Sequence, residues 1–287
     1  LYSSAASDVY KRQDKYLWRV SFIMNILIAA LLGLVQGLCE FLPVSSSGHL
    51  VLFQNIFGIN EGAMFFDTML HLGTLAAVIA VYYRQLWALI KKPFQKKVYL
   101  LLLSTLVTTV IAFAFKDLFD SAFEGKFLGI GFLITAAILF LNEKLSHGKK
   151  DIEHMKYTES LGVGLMQGVA IFPGVSRSGS TIAGARFFGL SKEAAAEYSF
   201  ILSIPAILGS LVLQIPDVAA EGLQGTDWGC VIVGTVIAAV SGYFAIRWML
   251  KLITKKSLKG FIIYVAALGM LVLCDQLIFN VFFTNPF

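Results

Sequence analysis

"GLVQGLCEFLPVSSSGHL", residues 33–50, sets one Glu, one Pro, three Ser and one His inside an otherwise apolar run. "GLMQGVAIFPGVSRSGST", residues 164–181, repeats the design 131 residues later. Aligned without a gap, Gly33, Leu34, Gln36, Gly37, Phe41, Val44, Ser45, Ser47 and Gly48 fall on Gly164, Leu165, Gln167, Gly168, Phe172, Val175, Ser176, Ser178 and Gly179. That is nine identities in eighteen positions. Two oily helices alike by chance would share Leu and Ala, not a Gly–Ser–Gly framework. Internal repeats of this kind are a signature of transporter-like membrane folds.

The rest of the chain agrees with a membrane setting. Of its 287 residues 57% are hydrophobic and only 14% charged, against about 25% charged in soluble domains. Residues 98–115, 127–142, 198–216 and 228–246 carry no charge at all. Crossing ~30 Å of hydrocarbon takes about 17–25 such residues. A β-barrel would show a period of two, and none is visible. The fold class is therefore an all-α polytopic membrane protein. The net charge of +5 sits in loops, with no basic stripe on a soluble unit, so nucleic acid is excluded as a partner. Cys39, Cys230 and Cys274 lie far apart in apolar stretches and lack metal-ligand spacing. Residues 1–19 are polar, lack the ordered regions of a signal peptide, and are set apart as an extension that need not be native.

Pro43, and Pro173 with Gly174, would interrupt a helix. Irregular backbone at membrane depth survives only where protein or a watery cavity covers it. Both motifs thus read as re-entrant helix–loop–helix hairpins, about 25–58 and 160–190. Spans follow at about 64–84, 98–116, 127–144, 195–215, 228–248 and 260–282, giving six spans and two hairpins. Residues 20–287 form one membrane domain, with repeat 1 at about 25–116 and repeat 2 at about 160–248; the spans at 127–144 and 260–282 are additional. The 84–97 loop holds Arg84, Lys91, Lys92, Lys96 and Lys97 without an acid. The 247–259 loop holds Arg247, Lys251, Lys255, Lys256 and Lys259, again without one. Asp217, Glu221 and Asp227 mark a purely acidic loop. The positive-inside rule places the basic loops in the cytoplasm. The first hairpin then enters from outside and the second from inside, an inverted repeat whose broken tips approach each other near mid-membrane.

The tips carry the chemistry. Ser45, Ser46, Ser47 and Gly48 stand where a new helix should begin, as do Ser176, Ser178, Gly179 and Thr181. Ser caps such a start and leaves backbone N–H groups pointing outward. Two helix N-termini facing one cavity favour an anion, and the Arg177 guanidinium suits phosphate oxygens. Ser46 and His49, spaced i, i+3, would share a helical face. They form a nucleophile-and-base pair, or His49 is itself the nucleophile. Glu40, one turn after Gln36, would hold a divalent cation or handle protons. Intramembrane ionisable groups are functional by default. Even so, His49 could be a satisfied core residue, Arg177 a counter-ion to Glu40, and the serines plain caps. Gln36 and Gln167 match in position, which fits a shared scaffold role as well as catalysis. His71 could line the cavity, whereas His147 and His154 fall in a charged loop and read as solvated.

These motifs resemble those of the undecaprenyl-diphosphate phosphatase family, the bacterial bacitracin-resistance phosphatases. The family pattern has a Glu/Gln-xxx-Glu element, a Ser-xx-His element and a PGxSRSGxT element. Here they read "QGLCE" (Gln36 to Glu40), "SSGH" (Ser46 to His49) and "PGVSRSGST" (Pro173 to Thr181), and the likeness extends over about 25–283. The resemblance implies an integral hydrolase that releases phosphate from undecaprenyl diphosphate and recycles the carrier for peptidoglycan synthesis. It also implies Mg²⁺ or Ca²⁺ as cofactor and a site in the plasma membrane open to the periplasmic side. By matching position, Glu40 falls on an acidic site residue, Ser46 and His49 on the nucleophile pair, and Arg177 on the phosphate-binding Arg. Ser176 and Thr181 fall on supporting polar positions. Gln36 stands where many members carry Glu, which bears on any scheme needing two carboxylates.

The rival reading is a transporter or flippase of an anionic isoprenoid lipid or small anion, since inverted repeats with broken helices are that class's architecture. A carrier needs Arg177 and the helix ends but has no use for a Ser–His pair. A non-catalytic assembly subunit would leave Glu40, His49 and Arg177 without a role. The sequence leaves a homodimer open.

Overall fold

The computed structural model describes residues 24–59, 63–123, 125–221, 226–255 and 257–283. The expected extension over 1–19 lies outside the described residues. Helix α1 (Ile26–Phe41) starts on Asn25, whose side chain accepts the N–H groups of Leu27 and Ile28, each at 3.0 Å. It stops at Leu42, which is extended, as the residue before Pro43 prefers. Helix α2 (Ser46–Phe57) follows and ends on Gly58. Helices α3 (Ala63–Lys91) and α4 (Lys96–Ala114) are long, and α5 (Lys116–Phe123) is a short helix that the sequence pattern does not announce. After α6 (Leu128–Leu145) and a 3₁₀ turn (Ile152–His154) comes the second broken pair, α7 (Tyr157–Val169) and α8 (Arg177–Phe187). Helix α9 (Lys192–Glu221) holds Pro205 and Pro216 within it. Helices α10 (Trp228–Lys255) and α11 (Lys259–Cys274) complete the bundle, α11 running into a π turn (Asp275–Phe279).

Six of these elements are long and apolar enough to cross a membrane: Met64–Lys91, Lys96–Ala114, Leu128–Leu145, Lys192–Pro216, Trp228–Lys255 and Lys259–Phe279. They coincide with the six expected spans to within about two turns. The protein is a multi-pass α-helical membrane protein, and its helices are built inside out to match. On α4, Leu102, Leu106, Val110 and Phe113 are exposed while Ser104 and Thr108 are buried. An apolar stripe of that kind is what a lipid-facing helix presents. The buried hydroxyls are satisfied: Ser104 donates to Ser160 O at 2.7 Å, and Thr108 donates to Gly164 O at 3.1 Å.

Those two bonds sit on a close seam between α4 and α7. A Cβ on Gly164 would come within 2.6 Å of Ser104 O, and one on Gly168 would collide with the Ile111 side chain. The matching glycines of the first motif form an equivalent seam. A Cβ on Gly33 would overlap the carbonyl of Gly234, and one on Gly37 the Ser241 hydroxyl, both on α10. So α1 packs against the helix late in the second repeat and α7 against the helix late in the first. This exchange holds the two broken pairs at the centre. A core that includes Phe41, Tyr198, Phe200 and Ile182 lies beside them, with Phe41 and Phe200 edge to face at 5.7 Å.

Candidate functional site

The first tip turns on Ser45. Its φ of +71° is rare for a residue with a side chain. The twist lets its Oγ accept the Gly48 N–H at 3.3 Å while α2 begins at Ser46. Its carbonyl accepts the Nδ1–H of His49 at 2.7 Å. A carbonyl only accepts, so the proton lies on Nδ1 and the lone pair of the neutral ring on Nε2. That nitrogen accepts the hydroxyl of Tyr264, on α11, at 2.7 Å. Phe132 meets the imidazole edge to face at 5.3 Å.

The second tip turns on Gly174, at φ +86°. Thr135, on α6, braces it: the hydroxyl donates to Gly174 O at 2.7 Å and accepts the Ser176 N–H at 2.8 Å. Ser176 caps α8 by accepting the Gly179 N–H at 3.1 Å. Thr181 donates to Arg177 O at 2.8 Å and pairs with Ser199 at 2.6 Å.

The tips touch reciprocally. A Cβ on Gly48 would lie 2.9 Å from the Gly174 Cα, and one on Gly179 would lie 3.3 Å from the Pro43 Cβ. These two contacts interchange under the 131-residue offset. Ser178 donates across the gap to Leu42 O at 2.9 Å. The first N–H groups of α2 and α8 have no partner inside their own helices.

Glu40 is the hub. Oε1 accepts Arg177 Nη2 at 2.5 Å, and Oε2 accepts the Ser46 hydroxyl at 2.6 Å and Gln36 Nε2 at 3.1 Å. Ser46 and Arg177 hold matched positions in the repeat, and both converge on one carboxylate. His71 joins from α3. Its Nδ1–H donates to Asp67 O at 2.8 Å, leaving Nε2 3.9 Å from Glu40 Oε2. The Glu40 and Arg177 side chains are 6% and 16% exposed, so the ion pair is largely shielded from solvent. Removing one partner of such a pair costs about 3–5 kcal/mol. Two polar atoms at the hub are buried without a partner, Arg177 Nη1 and Gln36 Oε1. The first is a cationic donor aimed at nothing, as a phosphate oxygen would require. The second is a hard oxygen acceptor beside a carboxylate.

The structure thus gathers Gln36, Glu40, Ser46 and Arg177, with Ser45, Ser47, Gly48, Ser176, Ser178, Gly179 and Thr181 shaping the two helix starts around them. It does not pair Ser46 with His49. The hydroxyl goes to Glu40 and both ring nitrogens are taken elsewhere. Both residues lie on α2 as the i, i+3 spacing requires, but the Ser46 hydroxyl turns to Glu40 on α1. Gln167 is not at the hub; its amide donates to Thr108 at 3.0 Å. Tyr264 and Thr135 were not among the expected site residues, whereas His71, which by sequence could line the cavity, does approach the hub. His71 stood out in the sequence as a polar group on an apolar helix, whereas nothing local marks the other two. Cys39, Cys230 and Cys274 are free thiols. A cavity of about 570 Å³ opens among the ends of α6, α8, α9 and α10, lined by Asn142, His147, Lys149, Arg186 and Lys192, and none of the tip residues reaches it.

Among the described residues no three His, Cys, Asp or Glu side chains cluster as a metal site. The hub offers one carboxylate and the Gln36 amide oxygen. Mg²⁺ is often held by one or two carboxylates, with water and substrate phosphates completing the shell, so this donor set fits a cation that arrives with a phosphorylated ligand.

Comparison with known proteins gives a consistent result. The sequence profile of the bacitracin resistance protein BacA matches residues 29–271. An undecaprenyl-diphosphatase of Carboxydothermus hydrogenoformans is 46% identical over 256 residues, covering 88% of this chain and 98% of that one. An undecaprenyl-diphosphatase 4 of Bacillus cereus is 44% identical over 257 residues, with the same coverage. An undecaprenyl-diphosphatase of Halothermothrix orenii is 41% identical over 253 residues, covering 87% and 98%.

Proposed function

Because this chain belongs to the BacA bacitracin resistance family, we infer that it is an integral membrane undecaprenyl-diphosphate phosphatase. It hydrolyses the terminal phosphoanhydride of undecaprenyl diphosphate, giving undecaprenyl phosphate and inorganic phosphate. That activity recycles the carrier for peptidoglycan synthesis and removes the diphosphate form, in keeping with bacitracin resistance. The observation that carries the reading is a single shielded carboxylate, Glu40, which receives a hydroxyl from one helix start and a guanidinium from the other.

The residues divide the work as follows. The diphosphate lies between the beginnings of α2 and α8, where free N–H groups and helix dipoles favour it. Arg177 turns its unpartnered Nη1 to a phosphate oxygen and neutralises charge as the P–O bond breaks. Ser46 Oγ attacks the terminal phosphorus while its proton passes to Glu40, already 2.6 Å away. Undecaprenyl phosphate leaves and Ser46 carries the phosphoryl group. His49, one turn along α2, takes a proton from the water that attacks the phosphoryl group; as phosphate leaves, Ser46 Oγ recovers its proton from Glu40 at 2.6 Å and His49 passes its own to solvent. Glu40 and Gln36 Oε1 would hold Mg²⁺ or Ca²⁺, which when bound supplies positive charge against the diphosphate. The broken pairs are half-crossings entering from opposite faces. The basic loops at 84–97 and 247–259 mark the cytoplasmic side of the plasma membrane, and the site opens to the periplasm.

Phosphate release by the purified protein in detergent, where no gradient exists, tests the reading. The wild type should liberate phosphate from undecaprenyl diphosphate. Ser46→Ala should abolish it, and His49→Ala should leave a phosphoryl group trapped on Ser46. An inactive wild type, or a Ser46→Ala variant with near-normal turnover, would overturn it.

A further inference from the structure

The imidazole of His49 is held at both ends. Ser45 O fixes the proton on Nδ1 at 2.7 Å, and Tyr264 donates its hydroxyl to Nε2 at 2.7 Å. The His49 and Tyr264 rings are nearly parallel, at 16°, and Phe132 closes one side. The two holds differ in kind. Ser45 is four residues away on the same chain turn, and its carbonyl is placed by the strained tip. Tyr264 is 215 residues away, on α11, and is half-exposed. Its ring is thus only partly buried, and its hydroxyl ends on the one nitrogen of His49 that carries a lone pair. His49 is 3% exposed. Without the phenol, Nε2 would be a buried acceptor with no donor, beside the edge of a Phe ring, and the imidazole would lose one of the two bonds that fix its orientation.

We propose that Tyr264 is a positioning residue for His49: it keeps Nε2 unprotonated and aimed from α11 toward the tip, where the base of the water-activating step is needed. The proposal rests on the phosphatase reading above. Tyr264 meets neither the phosphorus nor the nucleophile and transfers no proton; it acts through His49, whose Nε2 it holds at 2.7 Å. Its hydroxyl holds a place that water or a phosphate oxygen takes during turnover, and it re-forms the bond afterwards. The role also explains why a helix outside the two matched motifs contributes to the site. Helix α11 packs on α6, where a Cβ on Gly129 would lie 3.0 Å from Gly269 O. Helix α6 in turn supplies both Phe132 to the first tip and Thr135 to the second.

Tyr264→Phe keeps the ring and deletes the donor. In detergent the variant should lose about tenfold in kcat with KM falling in parallel, so that kcat/KM holds, and phosphoryl-Ser46 should accumulate at steady state. Independently, the ¹⁵N resonance of His49 Nε2 should move toward that of an imidazole nitrogen without a hydrogen-bond donor, while the Nδ1–H signature persists. This spectrum reports the bond itself and is read only on protein that has kept its melting midpoint. Tyr264→Leu, which also removes the stacked ring, should lose no more in kcat than Tyr264→Phe beyond a factor of about two. An active wild type with Tyr264→Phe at full kcat, or an unmoved Nε2 resonance, overturns the proposal and leaves the phosphatase reading standing. An inactive wild type overturns the phosphatase reading first.

Discussion

The two tips share a design and differ in what they do. Both break a helix after a Gln-Gly step, cap the next helix with Ser, and set a glycine against the residue at the matched place in the other tip. The backbones differ at the cap: Ser45 has φ +71°, whereas Ser176 has φ −71°. Among the matched positions that differ, three separate the chemistry of the tips. Glu40, Ser46 and His49 of the first tip answer to Ile171, Arg177 and Ser180 of the second. The first tip holds the groups that would exchange protons and bonds, and it holds the strain. Sparsely populated backbone of that kind costs about 1–3 kcal/mol and collects at reactive sites. The second tip holds a fixed charge on relaxed backbone. The repeat gives two Ser-capped helix starts, and on the proposed reading only the first would carry the reaction.

Making the tips alike should break the arrangement. Arg177→Ser gives the second tip the first tip's residue and leaves Glu40 without its cation. The expected loss in kcat/KM is on the order of 10³, by phosphate release in detergent. His49→Ser, the reverse exchange, removes a base rather than a charge. A fall in kcat on the order of 10² with a parallel fall in KM is expected, and a rise in KM would mean that His49 binds rather than reacts. Thr135→Val deletes the brace that only the second tip has. It should cost about 1–3 kcal/mol, seen as a melting midpoint lower by several degrees.

The caps should respond with opposite signs. Ser45→Gly relieves a left-handed conformation and should raise the midpoint, by up to about 1 kcal/mol less the cap's few tenths. Ser176→Gly has no strain to relieve and should lower it. Equal responses would remove the backbone half of the comparison.

The smallest expected effect is at the foot of the second hairpin. Burial pushes the Glu159 carboxyl up, but the Lys156 N–H at 2.9 Å and the Lys150 ammonium at 2.9 Å outweigh it and hold it below the ordinary carboxylate range. A depressed value in the folded state means stability that is present above the unfolded value, about 4.3. It is lost as pH falls through the folded value. Wild type and Glu159→Gln should therefore differ at neutral pH, by under about 1 kcal/mol at this solvent-screened pair, and converge in acid. Asn25 caps the foot of the first hairpin instead, so Asn25→Ala should show no such pH dependence.

The sequence carried the fold a long way. Long apolar runs, four of them free of charge, located six spans because hydrocarbon thickness leaves little freedom in their length. The matched Gly and Ser located both tips because broken helices need those residues at fixed offsets. Within the site, Arg177 and Glu40 were visible as charges that lipid would not tolerate alone. The bonding pattern was less visible. The Ser46 hydroxyl turns to Glu40 on α1, a contact brought about by the turn at Ser45, whose positive φ Ser does not advertise. Tyr264 and Thr135 reach the tips from α11 and α6, and contacts over such separations leave no periodic trace. His71 approaches Glu40 from α3 for the same reason, although its place on an apolar helix was itself a hint.

The crossed glycine seams bear on how such a chain can be divided. Gly33 and Gly37 need α10, and Gly164 and Gly168 need α4. A cut in the 146–151 loop would give two fragments, each carrying one broken pair whose docking partner is on the other fragment. Neither should fold alone, and the two made together should reassemble into an active whole. An ancestor with a single unit would then have worked as an antiparallel pair of identical subunits, each lending a helix to its twin.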